Sequence, residues 1–393
     1  MDRPVTGRGP LAGIRVIELP GIGPLPFACM LLADLGADVI RIDRPDDVGR
    51  QPRSALDVAM LSLDPLGRNR RRLAIDLRAP EGAELLLRMA ETADVVMEGF
   101  RPGVVERLGV GPKDCRSRND RLVYGRATGW GQTGPLAHSA GHDINYLALS
   151  GVLDSIGSRG GPPVAPMGHI GDFGGGGLFL AFGVLAALIE RERSGKGQVV
   201  DAAILDGVGL LGSLQRFLSQ HGAVPAGRAT GPLDGGSHFY NVYETADGKH
   251  ITFGAVEPKF HRELLVQLGL DPAGVEQLDS GGWPDLRKKI ADVVRGRTRA
   301  QWQELLEGTD VCFAPVLTAA EAPLHPHHLA RGTFVTVDGE VQAAPGPRFD
   351  RTPASAPTAP RPPGADALTI LAELGIAEDE VARLRERRIV HMP

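Results

Sequence analysis

The stretch "IRVIELPGIGPLPFACMLLADLGADVIRID", Ile14 to Asp43, constrains the fold more than any other part of the sequence. Two short apolar runs, "IRVIEL" and "ADVIRID", flank a helical segment, "FACMLLADLG", that Gly36 stops. A strand, a helix and a second strand with so little connecting chain form a parallel pair joined by a right-handed crossover. Such pairs occur in sheets covered by helices on both faces. Three further strand candidates follow: Arg71 to Leu77, Asp94 to Phe100, and "RLVYGRATGWG" (Arg121 to Gly131). An amphipathic helix, Pro80 to Ala93, separates the first two. The first 135 residues therefore predict a doubly wound α/β layer.

The remainder reads differently. "GHIGDFGGGGLFLAFGVLAALIERERSGKGQ" is a Gly-rich entry into an apolar helix, and its run Phe173 to Ile189 is too short and Gly-rich for a membrane span. It predicts a buried helix. From Leu233 the pattern changes to short strands with a hairpin across Ala246 to Gly248. Helices are expected at Pro258 to Leu268 and Trp283 to Leu306, completing a smaller α+β module that ends near Val316. Pro345 to Gly364 is Pro-rich and reads as an extended connector, and the chain closes in helices. A chain of 393 residues exceeds one simple core, so two domains are expected.

Bulk composition excludes little. A net charge of -5 gives no general attraction to nucleic acid or to a membrane surface. The three cysteines, Cys29, Cys115 and Cys312, have no metal-ligand spacing and their odd number argues against a disulfide framework. With no apolar signal core in "MDRPVTGRGPLAG", a cytoplasmic setting is expected.

Four places could carry chemistry. "PGIGPLPF" imitates a dinucleotide fingerprint, but Pro26 replaces the third glycine and Pro24 removes a backbone donor, so a tight turn is the better reading. Arg68, Arg70, Arg71 and Arg72, with Arg41 and Arg44, cluster near strand ends; they suit a phosphate site or a solvated loop. Arg101 and Arg107, after the fourth strand, favour an anionic nucleotide ligand. "AGHDINY" and "GDFGGGG" place His142 and Asp172 thirty residues apart. An imidazole beside a carboxylate is rarely buried without partners, and an N-cap role for Asp172 would not explain four glycines, which are poor helix formers. Glycines admit a ligand to the backbone, and N–H groups at a helix start stabilise developing negative charge. Glu257, in "FGAVEPKFH", ends a strand ahead of Pro258 and also suits a plain helix start.

These segments, with "LLADLGADVIRIDRP", "EGFRPGV", "TGWGQTGP", "SGKGQVVDAAILDG" and "GAVEPKF", resemble the family III coenzyme A transferase superfamily over essentially the whole chain. His142 and the Gly-rich run resemble more narrowly its racemase branch, the α-methylacyl-CoA racemases. The resemblance implies an interlocked homodimer. It implies a Rossmann-like large domain, residues 1–200 and 331–393, a helical linker, 201–232, and a small α+β domain with its return linker, 233–330. The active site would lie between the large domain of one subunit and the small domain of the other. Coenzyme A contacts would fall on Arg44, Ile75, Asp76, Leu77, Arg78, Gly99, Phe100, Arg101, Arg107, Gly141, Asp143, Ile144, Asn145 and Tyr146. The implied catalytic set is His142 and Asp172 as acid and base on opposite faces of an enolate, with Glu257 orienting the imidazole. Coenzyme A enters as part of the thioester substrate, and no metal or separate cofactor is expected. The rival reaction in the same superfamily is CoA transfer to a free carboxylic acid, with Asp172 forming a mixed anhydride.

Overall fold

The computed structural model describes residues 8–58, 64–222 and 227–393. The first residues of the N-terminal stretch, part of the segment after Arg44 and part of the expected 201–232 linker lie outside the described residues. The chain divides into two compact units. The larger comprises Met1–Ser150, Met167–Leu211 and Arg331–Pro393; the smaller comprises Gly151–Pro166 and Gly212–Ala330.

The larger unit opens with β1 (Arg15–Glu18), α1 (Pro24–Asp34), β2 (Asp38–Asp43), β3 (Arg70–Ile75), α2 (Pro80–Thr92), β4 (Val95–Glu98), the short α3 (Val104–Arg107) and β5 (Val123–Thr128). Next come α4 (Asp143–Ser150), a π-helix (His169–Leu178) running directly into α5 (Phe179–Ser194), then β6 (Val199–Ala203) and α6 (Ile204–Leu211). Successive strand residues serve opposite faces. Val16 joins a core with Leu25, Leu32, Leu180 and Val184, while Ile17 joins another with Leu85, Leu86 and Met89. Both cores are apolar, which is what a parallel sheet buried on both faces requires.

The smaller unit contains α7 (Ser213–Gln220), the antiparallel hairpin β7 (Tyr240–Glu244) and β8 (His250–Gly254), α8 (Pro258–Gln267), α9 (Trp283–Val294), α10 (Arg299–Leu306) and β9 (Phe313–Pro315). The single helix expected over Trp283–Leu306 is two. Thr298 ends the break between them as an N-cap, its side chain accepting the Gln301 N–H while Gln301 reciprocates. Trp302, fully buried, anchors this core.

The returning chain forms the hairpin β10 (Phe334–Val337) and β11 (Glu340–Ala343), then α11 (Ala367–Glu373), α12 (Glu378–Glu386) and β12 (Val390–His391). The large sheet has the order β12-β3-β2-β1-β4-β5-β6, with β12 antiparallel at one edge and the rest parallel. This is a mixed α/β fold around a large parallel sheet. Residues 201–232, expected as a helical linker, divide between the units: β6 is a sheet strand, and α7 belongs to the smaller unit.

The continuous helix His169–Ser194 is long and apolar enough to cross a membrane by length and composition alone. The sequence predicts a buried helix, and the structure buries one face of it. Leu180, Val184 and Ala187 face the sheet, whereas Leu178, Phe182 and Ile189 are 52%, 69% and 66% exposed.

Candidate active site

Ligands of parallel sheets gather beyond the carboxyl ends of the strands. In the larger unit a cleft of about 270 Å³ opens there, lined by the turn Ile22–Leu25 after β1, the loop Gly99–Pro102 after β4, residues 127–130 at the end of β5, and Gly141, His142, Tyr146 and Asp172. Sequence-predicted residues from three separate segments therefore meet in one cavity: Gly99, Phe100 and Arg101; Gly141, His142 and Tyr146; Asp172.

Asp172 sits within the π-helix, a form common at functional sites. Its backbone N–H donates to Asp143 Oδ1 at 2.8 Å. That amide is thus occupied and does not offer itself to an oxyanion. Burial first, and the Asp143 carboxylate second, push the Asp172 carboxyl up to about 6, with His142 pulling the other way. The Asp172 Oδ2 also lies against Gly23: a Cβ built there would be only 2.8 Å away. The turn that failed the dinucleotide test is therefore a wall of the site.

His142 is exposed, and its backbone N–H donates to Asn145 Oδ1 at 3.0 Å, which starts α4. Tyr146 fixes the floor. Its hydroxyl donates to the Gly141 carbonyl, its ring covers Gly129, and Trp130 meets it edge-on at 4.7 Å. The glycines after Asp172 have a different job from the one expected. Gly175, Gly176 and Gly177 are buried, with Cβ positions that would fall within 2.8 Å of Val208, Pro24 and Phe27. They let α1 and α6 close onto the π-helix rather than admit a ligand.

The remaining predicted residues lie outside the lining of this cleft. Ile75 and Leu77 are core side chains, 1% and 8% exposed, and Asp76 accepts the Arg78 N–H. Ile144 is exposed on α4. Arg44, Arg78 and Arg107 are exposed and, among the described residues, have no carboxylate partner; the same holds for Arg101 in the cleft. They follow β2, β3 and β4 at the carboxyl end of the sheet. Glu257, on the smaller unit, is exposed at the N-cap of α8.

The basic run after residue 67 is neither a phosphate site nor a solvated loop. Arg68 grips Asp34 at 2.5 Å, Arg70 pairs with the fully buried Glu18 at 3.1 Å, Arg71 with Asp38 at 2.7 Å and Arg72 with Asp43 at 2.6 Å. Arg41 pairs with Asp64. The guanidinium groups of Arg68, Arg70, Arg71 and Arg72 neutralise carboxylates of α1, β1 and β2.

The sequence profile of CoA-transferase family III matches residues 11–367, and the chain belongs to that family. It is 43% identical over 385 residues to the Alpha-methylacyl-CoA racemase of Mus musculus, and 42% identical over 384 residues to that of Homo sapiens, with 97% of each chain covered in both cases. It is also 32% identical over 397 residues to the Succinyl-CoA--D-citramalate CoA-transferase of Chloroflexus aurantiacus, covering 97% of this chain and 98% of the relative. A solved structure of a CAIB/BAIF family protein from Brucella suis superposes with a TM-score of 0.80 at 26% identity, covering 93% of this chain and 100% of that one. Relatives of the chain thus carry both racemase and transferase names.

Proposed function

We propose that this protein racemises 2-methylacyl-CoA thioesters by removing and replacing the α-proton through an enolate. The observation that carries the reading is the Asp172 carboxyl, pushed up to about 6, in one cleft with His142. A carboxylate near 6 is still mostly ionised at pH 7 and is a stronger base than a free one. A histidine imidazole can give or take a proton and would act on the opposite face. An attack by Asp172 on a thioester, as in CoA transfer, has no use for that imidazole.

Glu257 would orient His142 through its second ring nitrogen, supplied by the smaller unit of a second copy in an interlocked homodimer. Arg44, Arg78, Arg101 and Arg107, which have no carboxylate partner among the described residues, would hold the coenzyme A phosphates at the carboxyl end of a Rossmann-like sheet. With Asp172's own amide taken by Asp143, the enolate oxygen must be met by other donors of the cleft. The reaction needs no metal or redox cofactor, and a cytoplasmic location is part of the proposal.

The test is proton NMR of (R)-2-methylacyl-CoA with the protein in deuterated water. Label should enter the α-carbon while both stereoisomers accumulate, with no acceptor acid. Turnover only when a free carboxylic acid is added, without label, would establish transfer instead.

A further inference from the structure

The segment from Glu98 to Arg107 carries Phe100 and Arg101 into the cleft and ends in Arg107 on α3. Both of its ends are held by one side chain of the neighbouring strand. Arg126 of β5 donates from Nε to Glu98 Oε1 at 2.7 Å and approaches Glu106 Oε1 through Nη1 at 2.9 Å. Glu98 is fully buried, and its other oxygen accepts the Phe100 N–H at 2.6 Å. Between these anchors the Arg107 guanidinium folds back over Gly103: a Cβ there would stand 3.2 Å from Nη1.

A buried ion pair is weak support for stability, because desolvation cancels much of its attraction. It is strong support for geometry when one planar fork meets two carboxylates. We infer that Arg126 is a positioning residue for ligand binding: by bridging Glu98 and Glu106 it fixes the loop that presents Phe100, Arg101 and Arg107. The inference rests on the acyl-CoA reading, in which Arg101 and Arg107 meet the anionic part of the thioester. Burial pushes the Glu98 carboxyl up and Arg126 pulls it back, so the loop depends on that guanidinium for a charged anchor.

Glu106 gives a test with opposite expectations. Simple charge arithmetic says that removing a carboxylate beside Arg107 should tighten the binding of a polyanion. The bridge says that Glu106→Gln should weaken it. The experiment is calorimetric titration of the full chain with coenzyme A, with racemisation kinetics and thermal melts alongside. Glu106→Gln should raise the dissociation constant and KM by about two- to fivefold, leave kcat within about twofold, and leave the melting temperature in place. In an Arg107→Ala background the same substitution should cost less, because part of its effect runs through Arg107 and only the part through Phe100 and Arg101 remains. Arg126→Lys, which keeps the charge but not the fork, should also raise KM more than it lowers kcat. Unchanged or tighter binding by Glu106→Gln would overturn the inference, as would an equal loss in the Arg107→Ala background. A wild type that binds no coenzyme A would sink the underlying acyl-CoA reading as well.

Discussion

Gly23→Ala would test whether the turn after β1 is part of the site. Gly23 has φ 63 and ψ -114, a combination that strains any residue with a side chain by roughly 1–3 kcal/mol. The added methyl would lie 2.8 Å from Asp172 Oδ2 and 3.4 Å from its Cγ. The carboxylate must then withdraw by roughly half an ångström to reach ordinary contact. Misplacement of about 1 Å can cost about 100-fold in rate, so a loss of about 10- to 100-fold in kcat is expected, with coenzyme A affinity nearly unchanged. Gly13→Ala separates strain from contact. Gly13 has φ +90 and nothing within 4 Å of its Cβ position. That variant should lose comparable stability and keep its kcat. The assays are racemisation kinetics and thermal melts on both proteins. Wild-type kcat in Gly23→Ala, or an equal fall in Gly13→Ala, would refute the assignment of Gly23 to the wall against Asp172.

Asp143→Asn removes a charge from Asp172 while leaving an amide oxygen for its N–H. In the direction in which Asp172 removes the α-proton it works deprotonated, so the rate in that direction falls as pH drops through about 6. Removing the Asp143 charge should move this acid limb to lower pH by up to about one unit, with burial holding the rest of the shift; an upward or absent movement in the pH–rate profile would contradict the coupling. Arg72→Ala leaves Asp43, 2% exposed, with only the longer 3.7 Å contact to Arg41 as an ion pair and should cost up to about 3–5 kcal/mol in urea unfolding, whereas Arg101→Ala should raise KM severalfold without loss of stability. A KM effect from Arg72→Ala at full stability would return the basic run to the ligand.

β6 was passed over as part of a helical segment, but β1 to β5 were legible as short apolar runs, and Gly36 marks the end of α1 as a stop. β12 was not, since two residues, Val390 and His391, pair with β3 without any periodic pattern. The hairpin β10–β11 did carry a signal, the Asp338–Gly339 pair between alternating residues of "FVTVDGEVQA", which the reading passed over. The chemistry-bearing residues were found by type and neighbourhood: His142 and Asp172 share a cleft, with Gly141 and Tyr146 beside them. What sequence could not give was pairing at long range. The arginines from 68 to 72 look alike as a run, yet their partners lie on α1, β1 and β2. Nor does "GIGP" announce a contact with a carboxylate far along the chain. The glycines after Asp172 were visible, but only packing shows that helices fill the space they leave.

The central claim is that His142 and Asp172 serve opposite faces of one α-carbon. The direct measurement is isomer-resolved deuterium exchange in His142→Ala and Asp172→Asn, each beside its thermal melt. Racemisation should fall by about 10²- to 10⁴-fold in both, the usual worth of a placed acid or base. Each folded variant should still wash label into one isomer, and the two variants should retain opposite isomers. Full activity in His142→Ala, or equal loss of exchange from both isomers in both variants, would contradict the two-base account and leave Asp172 acting alone.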